Sequence, residues 1–547
     1  MPARSEATIK RLTLIACILG SGIALLDTTV VNVALPTIQR ALGGGLAAQQ
    51  WVANAYLITL GSLILIGGSL GDIFGERRVF ALGVAGFGVA SLLCAAAPTI
   101  EALIAARALQ GVAGALLTPS ALAVIVNTFP ESERGPAIGS WTAWLGIATV
   151  LGPLVGGELL AIASWRWIFI INVPFVIACI ALVEIAIPAA PPREGKRRRV
   201  DLVGAGLCAF GLAGPVFALI EQPRLGWSSP AVLVPLIGGA ALLAAFVVYE
   251  SRARDPMLPL GLFRRGNFAA GNVETFSMYA GLAILFFFLT IFLQQVGGYS
   301  PLKAGLATLP VTLVMFALSR RFGMLADRYG PRLFMGAGPL IAAGGLLLLE
   351  RIGAPVHYAS EVLPGLVVFS VGLSMTVAPL TAAVLAGMEG DAGIASGVNN
   401  AIARVAGLLS TAAVGAVVAA AFVSSFDAHL VSSPLTGEAQ AAAQQAKHLA
   451  LGVPDVHGLA PAQAHALTHA AVQASLHAFH QSVLIAAVLV AAGGLVGVIG
   501  VRNPTREIPA EECAGGQLVG ASSALAQSAR PAAPAGAPAA QATGSRA

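Results

Sequence analysis

The chain has 547 residues, of which 57% are hydrophobic and only 10% charged, with a formal net charge of +5 at pH 7 and a mean hydropathy of +0.82. A water-soluble domain is about a quarter charged, so these proportions exclude one and point to a chain whose solvent is the lipid bilayer. The basic pI of about 9.1 does not mark a nucleic-acid partner, because the Lys and Arg residues lie between apolar runs rather than on one patch. Cysteines 17, 94, 179, 208 and 513 lie mostly inside apolar runs, and their spacing suggests neither a metal site nor a disulfide framework.

A bilayer core of about 30 Å takes about 20 residues of helix. Runs of that kind are predicted over 12–35, 51–71, 79–97, 102–126, 137–157, 166–188, 202–220, 231–250, 268–293, 303–322, 333–351, 362–386, 394–422 and 479–501, fourteen in all. Pro98, Pro130, a charged stretch at 191–201 and Gly297-Gly298 before Ser300-Pro301 punctuate them. The first run is too long, and too poorly followed by a cleavage signature, to be a removable signal peptide.

Lys and Arg set the orientation. With the N-terminus inside, the inner segments hold 23 of the 31 basic residues and the outer segments six; Arg107 and Arg404 lie within spans. The bias holds loop after loop, and an odd number of spans would break it. Both termini are therefore expected to be cytoplasmic.

One charge pattern occurs twice. "GSLGDIFGERR" (68–78) and "GMLADRYGPRL" (323–333) lie 255 residues apart, each at the inner end of a span. Gly68/Gly323, Asp72/Asp327, Gly75/Gly330 and Arg77/Arg332 share offsets, with Arg78 and Arg328 as further cations. Glycine permits a sharp reversal. The Asp can accept from helix N-terminal N–H groups and pair with the Arg residues, a clamp that can form and release. Ordinary solvated turns would explain one copy less awkwardly than two. A parallel repeat of this kind is typical of transporters that rock around a midplane site.

Further stretches stand in order: "LDTTVVNVALP" (26–36), "RALQGVAGALLTP" (107–119), "GIATVLGPLVGG" (146–157), "SWRWIFIINVPF" (164–175) and "LQQVGGYSPLKAGLATLP" (293–310). With the duplicated loop, they make the chain resemble the major facilitator superfamily, in its fourteen-helix drug/proton antiporter branch, over about 12–501. Pro331 departs from the loop pattern, where a basic residue is usual. The resemblance implies an all-α integral membrane protein with the major facilitator fold. It implies a cytoplasmic N-terminus (1–11), a six-helix bundle (12–188), a cytoplasmic linker with two inserted helices (189–267), a second six-helix bundle (268–501) with an outer loop at 423–478, and a disordered tail (502–547). It further implies proton-coupled export of small compounds, hydrophobic cations leading, by a monomer in the inner membrane. No cofactor is expected. A periplasmic adaptor is a partner that the sequence leaves open.

Embedded charge can be read without the family. Asp27 lies about fifteen residues into the first span, roughly 22 Å from its inner end. An ionised carboxylate there costs about 2.5–3.5 kcal/mol. It must face a cavity, find a partner or carry a proton. Arg107 is expected at similar depth, and a balance between burial and a nearby cation suits a proton carrier. The competing reading is a helix pin satisfied by Thr28, Thr29 and Asn32, the last also a candidate cavity residue. Glu274 is either a cavity acid or a structural acid supported by Asn272. Asn399, Asn400 and Arg404 could line the second-half cavity, with Arg404 pairing Glu274. Glu184 is expected only to reach interfacial water.

In the fifth span, Gly152 and Gly156 share a face for close packing, and Pro153 can bend the helix; Gly146 and Gly157 complete the motif. The aromatic run at 286–292 is read as lipid or core packing. His465 and His469 are spaced i, i+4, but nothing nearby completes a metal set. No G-x-x-x-x-G-K-[ST] occurs, and no nucleophile–base set stands out, so an enzyme is not expected. A channel or receptor would leave the duplicated loop unexplained, and a proton-coupled importer is the nearer rival.

Overall fold

The computed structural model describes residues 5–187, 201–254, 256–385, 392–431 and 435–503. The expected linker charge run up to 200, the tail from 504 and Cys513 lie outside them. The long elements are α1 (Glu6–Leu42), α2 (Leu46–Phe74), α3 (Glu76–Ala96), α4 (Ile100–Thr128), α5 (Glu131–Ile162), α6 (Trp167–Ile170) with α7 (Asn172–Ala186), α8 (Leu202–Leu225), α9 (Pro230–Arg252), α10 (Gly266–Gln295), α11 (Pro301–Tyr329), α12 (Pro331–Leu348), α13 (Leu363–Leu385), α14 (Ala392–Leu430), α15 (Gly437–Ala446) and α16 (Pro461–Gly500). The described residues contain no strand. A backbone in lipid must satisfy its own N–H and C=O groups, and a helix does so within one segment. Thirteen helices are long and apolar enough to cross a membrane, and α2, at 29 residues, is a fourteenth of that length.

Several helices outrun the apolar runs that predict them. The described part of 423–478, expected as an outer loop, is largely helical: α14 continues to Leu430, α15 spans Gly437–Ala446, and α16 begins at Pro461. Ala- and Gln-rich sequence favours helix over an open loop.

The duplicated loop has a backbone explanation. Gly75 is the single residue between α2 and α3, with φ +90°, and Gly330 is the single residue between α11 and α12, with φ +83°. L side chains rarely adopt that region. A one-residue reversal between two spans therefore selects glycine at both places.

Helices α1 to α7 pack into one bundle, and α10 to α14 with α16 into another. α8 and α9 pack on each other, and α8 also touches α2 and α14. The bundles meet where α5 packs on α11, α2 on α14, and α1 on both α10 and α11. α5 is smooth on two sides. A Cβ at Gly156 would stand 2.9 Å from Val30 Cγ1, and one at Gly152 would strike the Thr29 hydroxyl, so these glycines admit α1. A Cβ at Gly157 would stand 2.5 Å from Leu302 Cα, and one at Gly305 2.8 Å from Pro153 Cβ, so the adjacent side, about 100° round the helix, admits α11. Gly146 is buried. The sequence motif thus packs against both bundles at once.

Polar bonds join the bundles at the same end. Gln294 Nε2 donates to the Val33 carbonyl (2.8 Å), Gln295 Nε2 to Gln39 Oε1 (2.7 Å) and Gln50 Nε2 to the Thr411 carbonyl (2.5 Å). This end is opposite the turns at Gly75 and Gly330. Gly157→Val is therefore expected to pry this seam open. Cysteines placed at 50 and 411 would report it, cross-linking readily in the parent chain and poorly in the variant.

Candidate functional site

Asp27 and Arg107 meet in the middle of the first bundle. Arg107 Nη1 donates to Asp27 Oδ2 at 2.5 Å, and the two side chains are 1% and 0% exposed. Such a pair persists in a dry site only when its remaining hydrogen-bonding capacity is filled. Here it is. Gln110 Nε2 (2.9 Å) and Asn172 Nδ2 (3.2 Å) both donate to Asp27 Oδ1. Arg107 also gives Nη1 to Gln110 Oε1 (2.6 Å) and Nε to the Val52 carbonyl (3.1 Å). Its guanidinium lies 4.4 Å from the ring centre of Tyr56 and 6.0 Å from that of Phe169. Ser91 Oγ accepts from both amides, at 3.0 and 3.3 Å. α1, α2, α3, α4 and α7 each supply one part.

The local alternative for Asp27 fails. Thr28 and Thr29 donate to the carbonyls of Ala24 (3.0 Å) and Leu26 (2.9 Å) on their own helix. Asn32 is half-buried and makes none of the bonds to Asp27. The satisfying shell comes from other helices. Gln110, Ser91, Asn172 and Tyr56 were not picked out from the sequence. Gln110 had a usable signal, one helical turn beyond Arg107, and Asn172 lay inside a quoted motif. Ser91 and Tyr56 had none.

In the second bundle the expected residues separate. Asn399 Nδ2 donates to Asn272 Oδ1 (3.1 Å) and Thr275 Oγ1 (2.7 Å), tying α14 to α10. Asn400 bonds within its own helix, to the Ser396 carbonyl. Glu274 does not meet Arg404. Its carboxylate lies against Gly497 of α16, where a Cβ would stand 2.8 Å from Oε2. It is fully buried, and neither oxygen has a hydrogen-bond partner. Nor does Asn272 support it, since the Asn272 amide nitrogen donates to the Phe268 carbonyl. Positions three apart on a helix share a face and positions two apart do not, so 272 and 275 both meet Asn399 while 274 turns toward α16. Arg404 is half-buried on α14 beside α2; a Cβ on Gly61 would stand 3.9 Å from Arg404 Cβ. Tyr56 and Tyr279 lie in electrostatic range of its guanidinium.

Of the loop residues, Arg77 and Arg332 have partners outside the two loops. Arg77 Nη2 pairs with Glu184 at 2.5 Å, within the first bundle. Glu184 thus has a partner at a 63% exposed position. The Asp72 side chain lies outside the described residues. Gly68 approaches Pro119 of α4, and Arg78 is exposed. In the second copy, Arg332 Nε donates to the Val498 carbonyl (2.7 Å). Arg328 lies 5.5 Å from the ring centre of Tyr329. Asp327 also makes an interaction. His465 and His469 stack, and the described residues contain no group of three metal-ligating side chains.

This arrangement places a buried, hydrogen-bonded carboxylate inside the first bundle, on the helix that α5 packs against. The Major Facilitator Superfamily model matches residues 17–411. The chain belongs to that superfamily. It is 38% identical to the puromycin resistance protein pur8 of Streptomyces alboniger over 71% of this chain and 78% of that one. It is 34% identical to the tetracenomycin C resistance and export protein of Streptomyces glaucescens, over 74% and 76%. It is also 34% identical to the multidrug resistance protein Stp of Mycobacterium tuberculosis, over 77% and 78%. Among solved structures, a bacterial homologue of the human lysosomal transporter Spinster superposes with a TM-score of 0.62 at 16% identity, covering 91% of this chain and 99% of that one. The protein is a multi-pass membrane transporter, not an enzyme.

Two substitutions test the charge accounting. Arg107→Gln leaves a buried carboxylate without its cation and is expected to cost about 3–5 kcal/mol. Adding Asp27→Asn should restore much of that loss in thermal unfolding. Glu274→Met removes an acid without partners and is expected to raise stability by about 1–3 kcal/mol.

Proposed function

We propose that the protein exports small organic compounds from the cytoplasm in exchange for protons, by alternating access, with Asp27 as the proton carrier. One observation carries this reading: a fully buried carboxylate whose counter-cation has other partners. When Asp27 takes a proton, its charge attraction to Arg107 ends. Arg107 keeps the Val52 carbonyl, Gln110 Oε1 and the Tyr56 face. The pair can therefore open without stranding the guanidinium.

A route from Asp27 to the seam is short. Thr29 and Val30, two and three residues on, are the atoms that Gly152 and Gly156 admit. The neighbouring side of the same helix, at Pro153 and Gly157, bears on α11. A shift of α1 on protonation would be passed through α5 to the other bundle. Moving one charge through 100 mV supplies about 2.3 kcal/mol, comparable with the cost of separating such contacts.

The Lys and Arg bias supports a cell-membrane protein with both termini cytoplasmic, and hence a structure sealed on its outer side. It also supports the division into two six-helix bundles, 12–188 and 268–501, with the inserted helices between. The duplicated inner loops, with Gly68, Asp72, Gly75, Arg77, Arg78, Asp327, Arg328 and Arg332, serve on this reading as latches for the inner end. Export is the direction named for the tetracenomycin relative. The rival importer makes the opposite demand on vesicles.

In inside-out vesicles with an acidic lumen, the protein is expected to concentrate substrate in the lumen. Asp27→Asn should abolish this accumulation while the protein stays folded, melting lower than the parent because Arg107 loses its counter-charge. Gradient-driven accumulation by Asp27→Asn would remove the carboxylate from the mechanism, and proton-linked loss of substrate from the lumen would favour import.

A further inference from the structure

We infer that the space between the bundles takes compounds carrying a negative charge on an aromatic body, and that Arg404 is the group that recognises them. The inference rests on the export reading above and adds the charge of its cargo.

Arg404 lies on the face of α14 that meets the first bundle. Thr411 and Gly415, seven and eleven residues on, occupy the same helical face. Both are part of the seal: the Thr411 carbonyl accepts from Gln50, and Gly415 admits the Gln50 side chain. Seven residues of helix measure about 10 Å. The Arg404 guanidinium therefore sits one layer beneath the seal, on the side toward the terminal face. Arg404 as a whole residue is half-buried.

At this depth a cation needs an anion. Arg404 makes no hydrogen bond or ion pair among the described residues, and the groups in electrostatic range are two phenols, Tyr56 and Tyr279. The nearby embedded acids are spoken for or turned away. Asp27 is neutralised by Arg107, and Glu274 faces α16. A cationic compound in this layer would find a like charge and no free carboxylate, whereas an anion would find an unpaired guanidinium. Charge-assisted bonds of this kind are roughly twice as strong as neutral ones, and the half-buried Tyr279 offers an aromatic ring to a planar body.

Tyr56 also links this layer to the proton site. The same ring that lies in range of Arg404 carries Arg107 at 4.4 Å. An anion drawn to Arg404 and a proton on Asp27 thus both bear on one side chain.

Two xanthene dyes of similar size and opposite charge test the inference: fluorescein, an anion, and rhodamine 6G, a cation. Binding to the purified full chain and accumulation in inside-out vesicles are both read. The parent chain is expected to bind fluorescein, and Arg404→Gln to weaken that binding about tenfold or more. Arg404→Lys should retain part of the affinity. Rhodamine 6G binding should be unchanged or stronger in Arg404→Gln. Absence of fluorescein binding to the parent, or equal losses for both dyes in Arg404→Gln, would overturn the proposal. Arg404-dependent fluorescein binding without gradient-driven accumulation would leave the anion site standing and refute export.

Discussion

The structure is organised around one buried ion pair. Asp27 and Arg107 hold opposite charges 2.5 Å apart where neither is exposed to solvent. Desolvation of two such groups costs several kcal/mol per ion, and attraction repays it only with good geometry and a full set of hydrogen bonds. Gln110, Asn172, Ser91 and the Val52 carbonyl complete that set. Five helices are thereby committed to one point. The pair is expensive to build, and on the proposed reading a proton on Asp27 is what alters it.

The second constraint is closeness of backbone. In lipid, helices gain little from burying apolar side chains against one another, so small residues that allow backbones to approach become important. α5 takes this furthest, with one side admitting α1 near Asp27 and the other admitting α11 across the seam. The glutamine and threonine bonds at the same end add direction to the contact. The two bundles are thus joined at one end by packing that tolerates no added methyl group. The charged site lies a few residues from it. The aromatic run on α10 serves the core: Phe287, Phe288 and Phe292 are buried, and Phe292 stacks on Phe479 of α16.

Much of the fold was legible because membrane helices are written in composition. Span length, punctuation by Gly and Pro and the alternation of Lys and Arg depend on the bilayer, and each is local in the chain. The glycines at 75 and 330 were legible for the same reason, since a one-residue reversal demands a positive φ wherever it occurs. Asp27 and Arg107 could be matched by counting residues along two helices. The outer segment was less legible, because alanine and glutamine suit both a polar loop and a helical extension.

What the sequence alone determined, then, was an all-helical membrane transporter with two related halves and one coupled pair of charges. Tertiary structure decided which side of each helix met which neighbour. Asp27 is served by Gln110 and Asn172 rather than by its own Thr28 and Thr29, because those hydroxyls close onto their own backbone. Glu274 and Arg404 stay apart because their helices turn them toward α16 and α2. Helix rotation about its axis leaves no mark on span length or hydropathy, yet it fixes every partner a polar side chain has.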